Sequence, residues 1–230
     1  MINDAVYDIF LNSFPRLAGE DADSARIQRA IDAAPSGVLY IPAGIYRIDR
    51  PLKIANLCSL MMHKSAVLRA EAEMDVILAY DANLQHNQQI RKPGMPEDYN
   101  LFIRGGCLDG NGRASCLMIT EYHHFTLKDI TLLNGRKYGL RTDDYGHGYE
   151  MIATNVYAKC TISGLGGNVA FNLKGGDSHY TDCVVVDYTI GFEDVSWAGA
   201  NRFTRCHVWG GPLPALTEGG EREMLVDSIC

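Results

Sequence analysis

One short pattern returns five times in the second half of the chain: a polar residue followed by alternating apolar positions. The copies are "KDITLL" (128–133), "TNVYAK" (154–159), "TDCVVV" (181–186), "TRCHVW" (204–209) and "VDSIC" (226–230). Their second residues, Asp129, Asn155, Asp182, Arg205 and Asp227, are spaced by 26, 27, 23 and 22 residues. "RGGCLDG" (104–110) extends the series one step earlier, with Gly106 placed 23 residues before Asp129. A step of this size, with strand-like rather than helical periodicity, predicts stacked coils with one turn of chain per repeat. Each coil lies parallel to the last, about 4.8 Å away.

Stacking turns equivalent positions into ladders. Cys107, Ile130, Val156, Cys183, Cys206 and Ser228 are expected to form one inward row. Leu132, Ala158, Val185, Val208 and Cys230 form the next, two residues on, as strand alternation requires. Leu127, Ala153, Tyr180, Phe203 and Leu225 form a third. Nearly every member is apolar or small, which makes the register self-consistent. The ladder also accounts for the cysteines. The chain has seven, none in a CxxC pair, so a zinc site is not indicated. Cys183 and Cys206 fall on adjacent rungs, where a disulfide is geometrically conceivable. A stack of reduced thiols filling a narrow core is the expected state.

The totals bound the function. A chain of 230 residues can bury a substantial core without staples. A net charge of −7 argues against a general nucleic-acid partner, which needs a basic footprint. No apolar run approaches a membrane span, so no membrane partner is expected. "MINDAVYDIFLNSFPR" lacks a basic segment followed by a long apolar one, so no signal peptide is visible. As written the chain reads as cytoplasmic, unless it was trimmed.

The first half differs. "DSARIQRAIDAA" (23–34) carries Ala25, Ile27, Ala30 and Ile31 at helical spacing, with Asp23 or Ser24 as N-cap. "VLYIPAGIYRI" (38–48) then reads as strand, turn and strand. This helix–turn–strand opening, together with "GGCLDGNG" (105–112), resembles the pectate-lyase-like superfamily, including its polygalacturonase-type glycoside hydrolases. The resemblance implies an all-β fold: a single-stranded right-handed parallel β-helix (solenoid) with an N-terminal capping α-helix. On that reading residues 1–230 form one domain, with the capping helix at 23–34, coils over 38–230 and a loop insertion at 81–100.

A fold of this kind hosts many chemistries, so function must come from the site. Aligning "CLMIT", "GLRTD", "AFNLK", "GFEDV" and "ALTEG" points Leu117, Leu140, Phe171, Phe192 and Leu216 inward. Met118, Arg141, Asn172, Glu193 and Thr217 then point outward, and Thr120, Asp143 and Lys174 lie two residues further on. Asp194 is an alternative to Glu193 on the outward face. Acids and bases alternating along a groove suit a poly- or oligosaccharide. Asp143 with Glu193 or Asp194 can act as the paired carboxylates of glycoside hydrolysis. Arg141, Asn172 and Lys174 are placed to bind substrate, and Trp197 to stack on a sugar face.

"TDDYGHG" (142–148) follows the same strand. Its Asp143–Asp144 and Gly146–His147–Gly148 look like two fragments of polygalacturonase-type hydrolases, there carried on separate coils. Here they are contiguous and their companions are absent, so no catalytic role is carried over. His147 remains a candidate binding residue on a glycine-rich turn. Hydrolysis needs no cofactor. A polysaccharide lyase is the second reading, with Lys174 or Arg141 as base and calcium held by Asp143 and Glu193. A glycan-binding, tailspike-like module is the third. Solvated surface charges account for the cluster without any function. The chain stops inside a repeat, at "EREMLVDSIC". An open coil exposes apolar core and strand edges, so either the chain is a piece of a longer β-helix or a second copy covers the end; the second is expected, a homo-oligomer through 205–230 burying Leu216, Met224, Leu225 and Ile229 in part.

Overall fold

Each repeat folds into one turn of chain carrying up to three short strands. The computed structural model describes residues 9–81, 101–120, 122–143, 149–196 and 200–210. Successive turns stack into three parallel sheets. The first holds Val38–Ile41, Ser59–Met62, Phe102–Arg104, His123–Lys128, Tyr149–Thr154, His179–Thr181 and Arg202–Thr204, with Ile9–Phe10 at its edge. The second holds Gly44–Ile48, Ala66–Ala70, Cys107–Asp109, Thr131–Leu133, Tyr157–Lys159, Val184–Val186 and His207–Trp209. The third holds Leu52–Ile54, Val76–Asp81, Ser115–Thr120, Tyr138–Asp143, Val169–Leu173 and Ile190–Asp194. The chain visits first, second and third sheet in turn, which makes it a right-handed parallel β-helix.

The polar second residue of each described repeat is the corner between the first and second sheets. Asp129, Asn155, Asp182 and Arg205 all adopt left-handed backbone there, with φ between 52° and 54°. Asp and Asn tolerate this conformation better than most residues. Their side chains also join neighbouring coils. Asn155 Nδ2 donates to Asp129 at 2.8 Å, and the Arg205 guanidinium grips the Asp182 carboxylate with bonds of 2.6 and 2.7 Å.

The register corrects one expected row. Cys107 pairs with Thr131, not with Ile130. Gly105 is therefore the equivalent of Asp129, and Gly106 takes the inward place assigned to Cys107. A Cβ on Gly105 would lie 2.2 Å from the Met62 carbonyl oxygen, and one on Gly106 2.7 Å from Met62 Cβ. The corner passes too close to the coil beneath for any side chain. The other rows stand as aligned: Leu132–Ala158–Val185–Val208, Leu127–Ala153–Tyr180–Phe203 and Leu117–Leu140–Phe171–Phe192. Aromatic rings stack along them, Phe171 on Phe192 at 4.6 Å and Tyr180 on Phe203 at 5.2 Å. Cys183 is buried, Cys206 half-buried, and both are free thiols.

The N-terminal helix spans Ser24–Asp32 and packs on the strands Gly44–Ile48 and Leu52–Ile54 of the first coil. Ile27, Ala30 and Ile31 are fully buried beneath it, as their spacing predicts. Asp23 occupies the N-cap position but makes no capping bond. Its carboxylate instead accepts the Arg16 guanidinium at 3.0 and 2.7 Å and the Arg47 backbone N–H at 2.8 Å. Among the described residues, no helix is long and apolar enough to cross a membrane. Residues 82–100, most of the expected insertion, lie outside the described residues. So does the 211–230 segment, on which the expected oligomer contact depends.

Candidate functional site

The third sheet presents the expected outward row. Met118, Arg141, Asn172 and Glu193 are successive register partners on four coils. Asp143 pairs with Thr120, and Lys174 follows the strand Val169–Leu173, whose pairing with Tyr138–Asp143 runs as far as Arg141–Asn172. The residues are locally anchored. Asn172 is 5% exposed, and its Nδ2 donates to the Glu193 carboxylate. The Arg141 guanidinium lies over the Tyr138 ring, 5.4 Å from its centroid. The buried Thr142 hydroxyl accepts the backbone N–H groups of Lys174 at 2.9 Å and Gly175 at 3.2 Å. That bond fixes the chain where it leaves the strand Val169–Leu173.

The two candidate acids separate. Glu193 sits on the outward row, whereas Asp194 pairs in register with the buried Leu173. The Asp194 carboxylate accepts the Ser196 N–H and the Asn201 side-chain amide, each at 3.1 Å. It therefore ties down the turn that follows its strand, off the row that holds Glu193. "TDDYGHG" is the connection from the third sheet to the first: one strand ends at Asp143 and the next begins at Tyr149. His147 and Trp197 lie outside the described residues. Among the described residues, no group of three or more His, Cys, Asp or Glu side chains is placed to hold a metal ion.

A second surface was not foreseen. A cleft of about 410 Å³ opens on the outer face of the first sheet, lined in part by His124, Glu150, Asp177, His179 and Arg202. His124 Nε2 contacts the Glu150 carboxylate on the next coil. His124, Glu150, Asp177 and Ala200 hold left-handed backbone, with φ of 51°, 63°, 53° and 63°. The signal was present in the sequence. These four residues stand three positions before Leu127, Ala153, Tyr180 and Phe203, a row already aligned by its apolar character.

Parallel β-helix proteins are the class that this architecture defines. Three solved structures share it with the chain. "Geobacillus virus E2 - ORF18" aligns with a TM-score of 0.60 and 14% identity over 86% of the chain. An iota-carrageenase complexed to iota-carrageenan fragments aligns with a TM-score of 0.56 and 13% identity over 82% of the chain. The catalytic unit of a GH87 alpha-1,3-glucanase from Streptomyces thermodiastaticus strain HF3-3 aligns with a TM-score of 0.50 and 12% identity over 88%. The chain covers 42%, 43% and 41% of those three structures, respectively. At this identity the likeness establishes the fold. No family model matches the chain. No curated protein matches it in sequence.

Proposed function

We propose that this chain acts on a poly- or oligosaccharide and hydrolyses a glycosidic bond on the outer face of the third sheet. The observation that carries the reading is the register. It sets Arg141, Asn172 and Glu193 on consecutive coils, with Asp143 two residues beyond Arg141 and Lys174 two residues beyond Asn172 in the chain. A sugar chain lying along the helix axis meets a new coil about every 4.8 Å, close to the span of one sugar unit. Asp143 and Glu193 are the paired carboxylates: one protonates the leaving oxygen, and the other activates water or attacks the anomeric carbon. Asn172 orients the Glu193 carboxylate through its amide. Arg141 and Lys174 hold hydroxyl or acid groups of the substrate, and His147 and Trp197 are further proposed contacts. The likeness to a carrageenase in complex with carrageenan fragments and to an alpha-1,3-glucanase supports a saccharide as ligand.

The test is incubation with a panel of neutral and acidic polysaccharides. New reducing ends without ultraviolet-absorbing unsaturated products are the expected result. Unsaturated products would mean elimination instead, and binding without any new ends would mean a module that does not cleave.

A further inference from the structure

We propose that the cleft on the outer face of the first sheet is a second saccharide site, which takes a sugar unit bearing a carboxylate or a sulfate. The inference rests on the saccharide reading above but concerns a different sheet and different residues. His179 and Arg202 are register partners on neighbouring coils, and both are exposed in the cleft. Neither side chain makes a hydrogen bond or ion pair with another described residue. A guanidinium fork matches two oxygens of a carboxylate or of a sulfate with two parallel bonds, and the neighbouring imidazole adds a third donor. On the coil of Arg202 the left-handed position is Ala200, where the two preceding coils carry Asp177 and Glu150. The acid group of a ligand therefore meets no carboxylate at that position on the coil of Arg202.

The residues two positions before Ile152 and His179, Glu150 and Asp177, have the opposite character, and Asp177 shares the coil of His179. The carboxylate of Asp177 is exposed, and that of Glu150 is in contact with His124. Carboxylates accept hydroxyl donors, and an imidazole can donate to a ring or hydroxyl oxygen. In the row of His179 and Arg202, Ile152, 53% exposed, is in register with Thr126 and His179. It offers an apolar floor to the C–H face of a sugar ring, the usual partition of a ligand cleft into apolar bed and few polar contacts. The backbone adds an independent sign. At the corner between the first and second sheets, left-handed positions are held mostly by Asp and Asn. In the cleft they include Glu150 and Ala200, residue types that adopt this conformation at a cost of about 1–2 kcal/mol each. Strain of this kind clusters at binding and catalytic sites.

The experiment is calorimetric titration of the full chain with three oligosaccharides of equal length: a galacturonate oligomer, a sulfated galactan oligomer and a neutral galactan oligomer. At least one acidic probe is expected to bind at least tenfold more tightly than the neutral one, and which of the two does so separates carboxylate from sulfate. Arg202→Ala is expected to remove that tenfold preference, and Arg202→Lys to restore part of it. Arg50→Ala is expected to leave the preference in place, because Arg50 lies on the surface beside Asp49, outside both the third-sheet row and the cleft. Equal affinity for all three probes, no binding of either acidic probe, or an unchanged preference in Arg202→Ala would overturn the proposal. Failure of the proposed hydrolysis looks different: no new reducing ends, with the Arg202-dependent preference intact.

Discussion

Gly105 shows how a single missing atom sets the path of a corner. Its φ is +76°, and an added Cβ would sit 2.2 Å from the Met62 carbonyl oxygen. Gly105→Ala is expected to cost roughly 3 kcal/mol, from backbone strain and overpacking together. Gly166→Ala is the control, since nothing lies within 4 Å of its Cβ position. Paired urea melts should show a large shift for the first and almost none for the second. The repeat at 104–110 was legible, but its phase was not. Cysteine reads as an apolar rung and glycine as a turn, and only the close approach to Met62 reverses those roles. The thiols carry a second expectation. The neighbouring Cys183 lowers the Cys206 thiol to about 7, while Cys206 and burial push Cys183 up. Burial raises Cys107 to about 12 and pushes Cys116 up as well. Iodoacetamide should label Cys206 with a midpoint near pH 7, ahead of those three cysteines. Cys183→Ala should move that midpoint up towards about 8.5. A midpoint unmoved by the substitution would contradict the pairing.

At the scale of elements, the N-terminal helix is held to the first coil by Asp23. Burial alone would raise this carboxyl, but the Arg16 guanidinium, the Arg47 N–H and the charge of Arg26 outweigh it and hold the group below its usual range. A depressed folded value contributes stability that is complete above the unfolded value near 4 and is lost as pH falls through the folded one. Asp23→Asn should therefore destabilise by roughly 3 kcal/mol at pH 7, the scale of breaking a buried pair. The gap between variant and wild type should shrink at acid pH, as the wild-type carboxyl becomes protonated on passing through its lowered folded value. An equal gap at the two pH values in urea titrations would show that the charge is not what matters. The helix itself was legible from its apolar spacing. The role of Asp23 was not, because a polar residue before a helix reads as a cap, and its partners come from Arg16 and from Arg47 on a strand.

For the whole molecule, the fold was legible because a solenoid repeats its own evidence. Each coil needs an apolar rung at the same place as its neighbours, so four independent rows had to agree. A site has no such redundancy. Arg141, Glu193, Asp177 and Arg202 are each one charged residue on one coil, and only stacking brings them into rows. The third-sheet row is legible because its outward residues lie one position after an apolar row. The first-sheet cleft is less so: its polar residues lie three positions before an apolar row, and the left-handed backbone at His124, Glu150 and Asp177 is not written in the side-chain pattern. The central claim is that the third-sheet row carries the chemistry, and it is tested most directly by turnover in Asp143→Asn on whichever polysaccharide the chain cleaves. The account predicts a loss of at least about a hundredfold in kcat with substrate binding retained, the scale of removing an acid or base. Turnover within a few-fold of wild type would contradict it.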